Sequence, residues 1–223
     1  QTVTNPLAAV EGDPVETDAA LRRRQKTSTA IPSQTILGGL IGAVANLAGV
    51  VRYGGVENDG GGTDDNGLPG HSFSIVVDGG DAAAIAATIF SKKGQGVSTY
   101  GTHSETITDD FGVPHVIRFM RPTEVPISVH VDLVPLHGYT SNIGAKIKTA
   151  IAAYVESLDL GGEIYLKRLY VPANLPGTPD GETYDISAIT IARDGGSLAV
   201  ANLALAYHET PTCVVSDISI AVI

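Results

Sequence analysis

The chain has 223 residues, 43% hydrophobic and 17% charged, a globular composition with room for one large domain or two small ones. Its 14 Lys and Arg against 24 Asp and Glu give a formal charge of −10, and the only basic cluster is Arg22-Arg23-Arg24 with Lys26. That balance argues against nucleic-acid binding, which needs concentrated positive charge, and one cysteine, Cys213, excludes an internal disulfide framework or a multi-cysteine zinc site. A lone thiol fits synthesis in a reducing compartment. The chain opens on Gln1 and its single methionine is Met120, so it reads as a piece of a longer protein. Glycine is in excess, 26 residues, and its positions punctuate the elements below.

Residues 1–16 read as extended, punctuated by Pro6 and Pro14. Thr17 is a candidate cap for a helix from Asp18, with Asp18 and Arg22 at favourable helical spacing. Pro32 and Ser33 restart the chain. Ile36, Leu37, Leu40, Ile41, Val44 and Leu47 then recur along one helical face. The run 36–51 is apolar except for Asn46, but its sixteen residues fall short of the ~20 that span a bilayer as a helix. A buried helix is expected, with Gly38 and Gly42 where another element packs closely. Gly49 ends it, and 50–57 reads as a strand.

The segment 58–70, NDGGGTDDNGLPG, predicts a long mobile loop that packs no core. A strand over 71–78 follows, then a turn at Gly79-Gly80. Asp81 caps a helix to about Lys93, with Ile85, Ile89 and Phe90 inward. Short strands are expected near 105–108 and 115–120. Val125, Ile127, Val129, Val131 and Leu133 alternate with polar residues, the pattern of a strand with one buried face. A helix is expected from a Ser141 cap to about Leu158, stopped at Gly161-Gly162, then strands over 163–171, 184–192 and 214–222. Strand 71–78 with helix 82–93 echoes strand 125–134 with helix 142–158. The fold class expected is α+β: two small mixed α/β units, each a short sheet with helices packed on one face. The expected division is an extended segment and connecting helix over 1–32, a first domain over 33–121 and a second over 122–223.

Four groups could carry chemistry. Gly70-His71-Ser72-Phe73-Ser74 nearly matches the G-x-S-x-G nucleophile elbow, but that motif needs a strand before the serine and a helix after it. Here a glycine-rich loop precedes Ser72 and a strand follows. Asp59, Asp64, Asp65 and Asn66 offer hard oxygens to calcium in loop 58–70. An EF-hand with Gly67 at its sixth position would start on Gly62 and end on Phe73, neither of which can ligate through a carboxylate. His130 and Asp132 share a strand face and could pair as acid and base, with no third group placed near them. The six histidines (71, 103, 115, 130, 137 and 208) show no metal-ligand spacing, and the glycine pairs lack a Walker lysine. No catalytic, cofactor or metal residue is therefore assigned. A serine hydrolase using Ser72 and a calcium- or glycan-binding module acting through loop 58–70 stand as rival readings.

Several segments together resemble the baseplate J-like family of contractile-tailed phages and related injection devices. Residues 4–24, TNPLAAVEGDPVETDAALRRR, are similar to the family's Asn-Pro, acidic-Thr-Asp and Leu-Arg-x-Arg signature, with Glu11-Gly12 where a glycine pair is commoner. Residues 54–80 are similar to its Val-x-Asn, variable loop, Gly-Leu-Pro and strand-Gly-Gly block. Residues 85–101, IAATIFSKKGQGVSTYG, and 121–133, RPTEVPISVHVDL, continue in the same order. The resemblance covers about 4–171 and is loose beyond. It implies a non-enzymatic virion structural protein, the C-terminal portion of a baseplate wedge subunit. Expected partners are other wedge and hub proteins and further copies in a six-fold assembly. Neither nucleic acid nor membrane insertion is expected. The expected location is the tail baseplate, after assembly in the bacterial host cytoplasm. Full-length members carry a further N-terminal region, which accounts for the missing start.

Overall fold

The structure is a computed structural model that describes Leu21, Arg22 and residues 36–223. The expected extended segment, Thr17-capped helix and Pro32-Ser33 break lie outside the described residues, except that Leu21 and Arg22 are helical. The fold is mixed α+β, as the pattern requires.

Helix α1 (Ile36–Ala45) buries Leu40, Gly42 and Val44, whereas Ile36 at its start is exposed. Asn46 closes the helix by donating its amide to Gly42 O at 2.7 Å. No helix among the described residues is long and apolar enough to cross a membrane. Strand β1 (Val50–Asn58) pairs antiparallel with β2 (Ser72–Gly79), with Tyr53 opposite Val77 and Gly55 opposite Ile75. Helix α2 (Ala82–Lys92) follows a tight corner, and Asp81 caps it by accepting the Ala84 N–H at 2.8 Å. The chain then returns as β3 (Ser98–Tyr100), parallel to β2.

The hairpin β4 (His103–Thr108) and β5 (Pro114–Phe119) forms its own two-stranded sheet. It joins the first sheet at Met120, whose N–H donates to Ile75 O at 2.8 Å while its carbonyl accepts the Val77 N–H at 3.0 Å. Leu40, Val44, Phe73, Ile75, Val77, Ile85, Ile89, Ile117 and Phe119 form one apolar cluster inside these elements.

A second cluster gathers around β6 (Thr123–Pro135). Its alternation is the one expected: Val125, Ile127, Val129, Val131 and Leu133 are all buried. Helix α3 (Ser141–Glu156) covers that face through Ile143, Ile147, Ile151 and Val155, spaced four apart on one side. Thr140 precedes the first helical turn and makes no side-chain cap, so the expected Ser141 cap is corrected.

Strand β7 (Gly162–Ile164) is short and is followed by helix α4 (Leu166–Ala173). The single strand expected over 163–171 is therefore overturned. Leu166, Leu169 and Ala173 are buried at spacings of three and four, while Val171 lies outward, a helical and not an alternating pattern. Beyond a turn of 3₁₀ helix (Pro179–Glu182), β8 (Tyr184–Arg193) pairs antiparallel with β6. Three short strands complete the chain: β9 (Leu203–Leu205) pairs β7, and β10 (Glu209–Thr212) and β11 (Ile218–Val222) both run parallel to β6.

The internal echo does not extend beyond a strand and a helix. After α2 the chain returns to pair with β2, whereas after α3 it enters β7, which pairs with β9 and not with β6.

Arg52 of β1 ties the two clusters together. Its guanidinium donates to Thr210 Oγ1 of β10 and to both the carbonyl and carboxylate of Glu156 at the end of α3. The other carboxylate oxygen of Glu156 accepts the Cys213 N–H at 2.9 Å. Replacing Arg52 by methionine removes these donors. The expected cost is about 2–3 kcal/mol, below the ~3–5 of a fully buried pair, because Glu156 is 43% exposed and can be rehydrated. Urea denaturation of both proteins measures it as a lowered midpoint.

Candidate functional site

Loop 58–70 is built from its ends inward. Asn58 is buried at the end of β1, and its amide donates to Gly62 O at 2.7 Å and Leu68 O at 2.8 Å. Its side-chain oxygen accepts the Gly60 N–H at 2.9 Å. Asp64 Oδ1 accepts the N–H groups of Asn66 and Leu68, an Asx turn that closes the far end. Leu68 is fully buried, so the loop contributes a plug to the interior, contrary to the expectation that it packs no core. Burying one leucine is worth about 1.5–3 kcal/mol.

The calcium reading finds no assembled donor set there. Asp64 Oδ1 is committed to backbone donors, Oδ2 faces the Asn66 amide at 3.4 Å, and Asp59 and Asp65 are exposed. No group of three His, Cys, Asp or Glu residues able to hold a metal occurs among the described residues.

Ser72 is 2% exposed and donates its hydroxyl to Pro69 O at 2.6 Å. It opens β2, with the loop before it and the strand after it. His71, next to it, is exposed with φ 56° and is not hydrogen-bonded to Ser72. The serine is bonded to its own turn, and among the described residues no base is hydrogen-bonded to it.

The third candidate gains a member that sequence reasoning missed. His130 and Asp132 lie on the open face of β6, with the imidazole Nε2 3.1 Å from Asp132 Oδ1. Ser219 of β11 stands opposite His130, and its Oγ is 2.7 Å from His130 Nδ1. Ser, His and Asp are thus in the order of a proton relay. Acyl transfer also needs N–H donors aimed at a developing oxyanion. Here β6 is flanked by β8 on one side and β11 on the other, so its own N–H groups lie in the sheet plane in ladder bonds and none of them is aimed at the serine. The row is a hydrogen-bonded polar stripe across two strands, β6 and β11. Nothing in the sequence places Ser219 there, because a parallel neighbour 89 residues away is chosen by tertiary packing.

The remaining histidines are dispersed. His115 pairs with Asp109 at 3.1 Å and stacks near Phe90, and His103 pairs with Glu105 at 3.1 Å beside Phe119. The hydrogen bond from His115, with the Val113 and Phe111 N–H groups, holds the Asp109 carboxyl below the usual carboxylate range. Of the basic cluster, Arg22 is exposed, and Arg23, Arg24 and Lys26 lie outside the described residues.

Cys213 is buried, and burial with the nearby carboxylates Asp217 and Glu156 pushes its thiol up to about 12. No protein-family model matches the chain, and no curated protein matches its sequence. The likeness to baseplate J-like proteins therefore rests on the residues quoted above.

Two outcomes are expected. Asn58→Ala lowers stability by about 2 kcal/mol through three lost backbone partners, and millimolar calcium leaves the melting temperature of the wild type unmoved, both read by thermal unfolding. Cys213 in the folded protein resists iodoacetamide at pH 8 and is labelled only after urea is added, because its reactive thiolate is scarce.

Proposed function

We propose that this chain is a structural part of a contractile-tail baseplate, in a phage, a prophage or a related injection device. In this reading it is the C-terminal portion of a wedge subunit and works by subunit–subunit contact, without catalysis. The observation that supports this is what the resembling residues do. Asn58 and Leu68, from the Val-x-Asn and Gly-Leu-Pro pieces, hold loop 58–70 together.

Gly79 and Gly80 make the corner before α2. Both have positive φ, a Cβ on Gly79 would run into Gly49 O, and Gly80 N–H donates to that same carbonyl at 2.8 Å. Gly101 lies so close to the Phe119 backbone that any side chain would collide with it. Arg121 opens the 121–133 block. Its guanidinium gathers the carbonyls of Val77, Gly79 and Gly80, fastening the start of β6 to the end of β2. These positions shape backbone and carry no reactive group. A subunit repeated around a ring needs that constancy of shape, since closure depends on every head-to-tail contact repeating the same rotation.

The surface supports the same reading. Phe111 at the tip of the β4–β5 hairpin is 92% exposed, with Val113 and Val116 exposed behind it. An aromatic held out on a hairpin is a natural anchor for a neighbour. Its partners in this reading are other wedge and hub proteins and further copies of the chain. Its place is the tail baseplate, reached after assembly in the bacterial host cytoplasm.

Mass spectrometry of purified contractile-tail particles from the source cell tests the proposal. Peptides of this chain are expected in the baseplate fraction, and their absence from intact particles removes the assignment. Phe111→Ser, at an exposed site, should change stability by no more than about 0.5 kcal/mol while lowering incorporation into particles.

A further inference from the structure

We propose that the outer edge of β11 pairs antiparallel with β11 of a second copy of this chain, giving a two-fold dimer with one sheet running through it. The inference does not depend on the baseplate assignment. Strand β11 (Ile218–Val222) pairs with β6 alone, so its far side is a sheet edge. The Ile223 N–H donates to Leu133 O at 3.0 Å, and Val222 stands beside Leu133 in the register. In a parallel ladder alternate residues turn their N–H and C=O toward the same neighbour. Ser219 and Ala221 therefore share the direction of Ile223, toward β6, and Ile220 and Val222 turn their peptide groups outward. Among the described residues no hydrogen bond reaches those outward groups. Ile218 has an outward C=O as well, while its N–H donates to Val215 O.

Edge strands are commonly guarded by a charge, a proline or a bulge that turns other strands away. Strand β11 reads Ile-Ser-Ile-Ala-Val in unbroken register and has none of these. Exposed apolar side chains flank it at both ends. Val214 and Val215, where the chain enters the strand, are 57% and 45% exposed, and Val222 and Ile223, where it leaves, are 56% and 64% exposed. Val134 extends the second patch onto β6.

These positions select the occupant. With a two-fold axis through Ile220, its N–H and C=O both bond the partner's Ile220, and the Val222 N–H meets the C=O of the partner's Ile218 in each direction. The groups used are the ones left free, and the Val222 C=O, opposite the occupied Ile218 N–H, stays with water at the rim. The same axis carries Val222 and Ile223 of each copy toward the turn of 3₁₀ helix (Val215–Asp217) that opens the other's β11, so each exit patch covers an entrance patch. Asp217, just before the strand, is held by the Val214 N–H at 2.9 Å. Peptide bonds and apolar contact therefore hold the pair against the mutual repulsion of two chains of charge −10. Such an edge with its flanking valines covers about 1,000 Å² over both copies, the lower bound for a specific interface, so the dimer depends on concentration. It is isologous, unlike the head-to-tail contacts that close a ring.

Sedimentation velocity on the full chain, from about 10 µM to about 1 mM, should show a reversible monomer–dimer equilibrium. Over that range the Ile220 and Val222 amides should slow several-fold in hydrogen exchange, whereas the Ala221 amide, bonded to β6 in both states, should not change. Val222→Lys puts a charge on an exposed edge position and should leave only monomer. Val222→Ile, and Val200→Lys at a 76% exposed site away from the strand, should keep the dimer. Raising sodium chloride from about 50 mM to about 300 mM should tighten the dimer by screening the like charges. Hydrogen exchange on the wild type decides the matter should the lysine variant fail to fold. A monomer throughout the range overturns the proposal and leaves the edge to an extended segment of another protein. A dimer whose Ile220 and Val222 amides exchange as fast as in the monomer, that survives Val222→Lys, or that salt dissociates overturns it too, because the contact then lies elsewhere.

Discussion

The tie made by Arg52 is the constraint on which the arrangement of this molecule depends. One guanidinium leaves β1 and reaches a hydroxyl on β10 and both a carbonyl and a carboxylate at the end of α3, and that carboxylate in turn holds the backbone at Cys213. The apolar clusters on either side are separate, so packing alone does not orient one against the other. A buried charge is costly unless it is hydrogen-bonded; both terminal nitrogens of Arg52 have partners while its buried Nε has none, and the geometry that supplies the partners is narrow. Directional polar contacts at an otherwise modest junction therefore fix the angle between two apolar bodies. Arg121 repeats the device where the chain crosses from one to the other, by gathering three carbonyls that a tight corner brings to one point.

The same economy runs through the candidate centres. Ser72, Asp64 and Asn58 are residue types that carry chemistry in enzymes and metal proteins, yet each is spent on its own backbone. The Asp132–His130–Ser219 row has the right order of groups but sits on a flat face whose peptide groups are used within the sheet. Hydrogen-bonding capacity is finite, and a side chain that closes a loop is not available to a substrate. What stands exposed is of another kind: an aromatic tip on the β4–β5 hairpin.

That tip has its origin in the hairpin. Strands β4 and β5 form a separate sheet, hydrogen-bonded to the first near Met120 and Thr99 and packed on it through Ile117 and Phe119, and the tip of the hairpin carries Phe111 into solvent. The break is enforced where Gly101 lets the chain turn against Phe119 before the hairpin begins.

Much of this was legible in the amino-acid sequence. The alternation over 125–133, the four-residue spacing of isoleucines in α3 and the Asp81 cap announce themselves because their periods are those of the backbone they form. The α4 segment reads as a strand in sequence because eight residues are too few for a clear period, and Tyr170 and Val171 weigh toward a strand locally. The role of loop 58–70 is hidden for a related reason: its composition is that of an unpacked turn, and only the fold shows that Asn58 and Leu68 turn inward. By itself the sequence determined the α+β class, the main strands and helices and the corners that require glycine, all properties of neighbours along the chain. Tertiary structure alone decided that Arg52 meets Glu156 and Thr210 and that Ser219 meets His130. Those contacts join residues far apart in the chain, and no local period records which distant partner satisfies a charge, a hydroxyl or a peptide group.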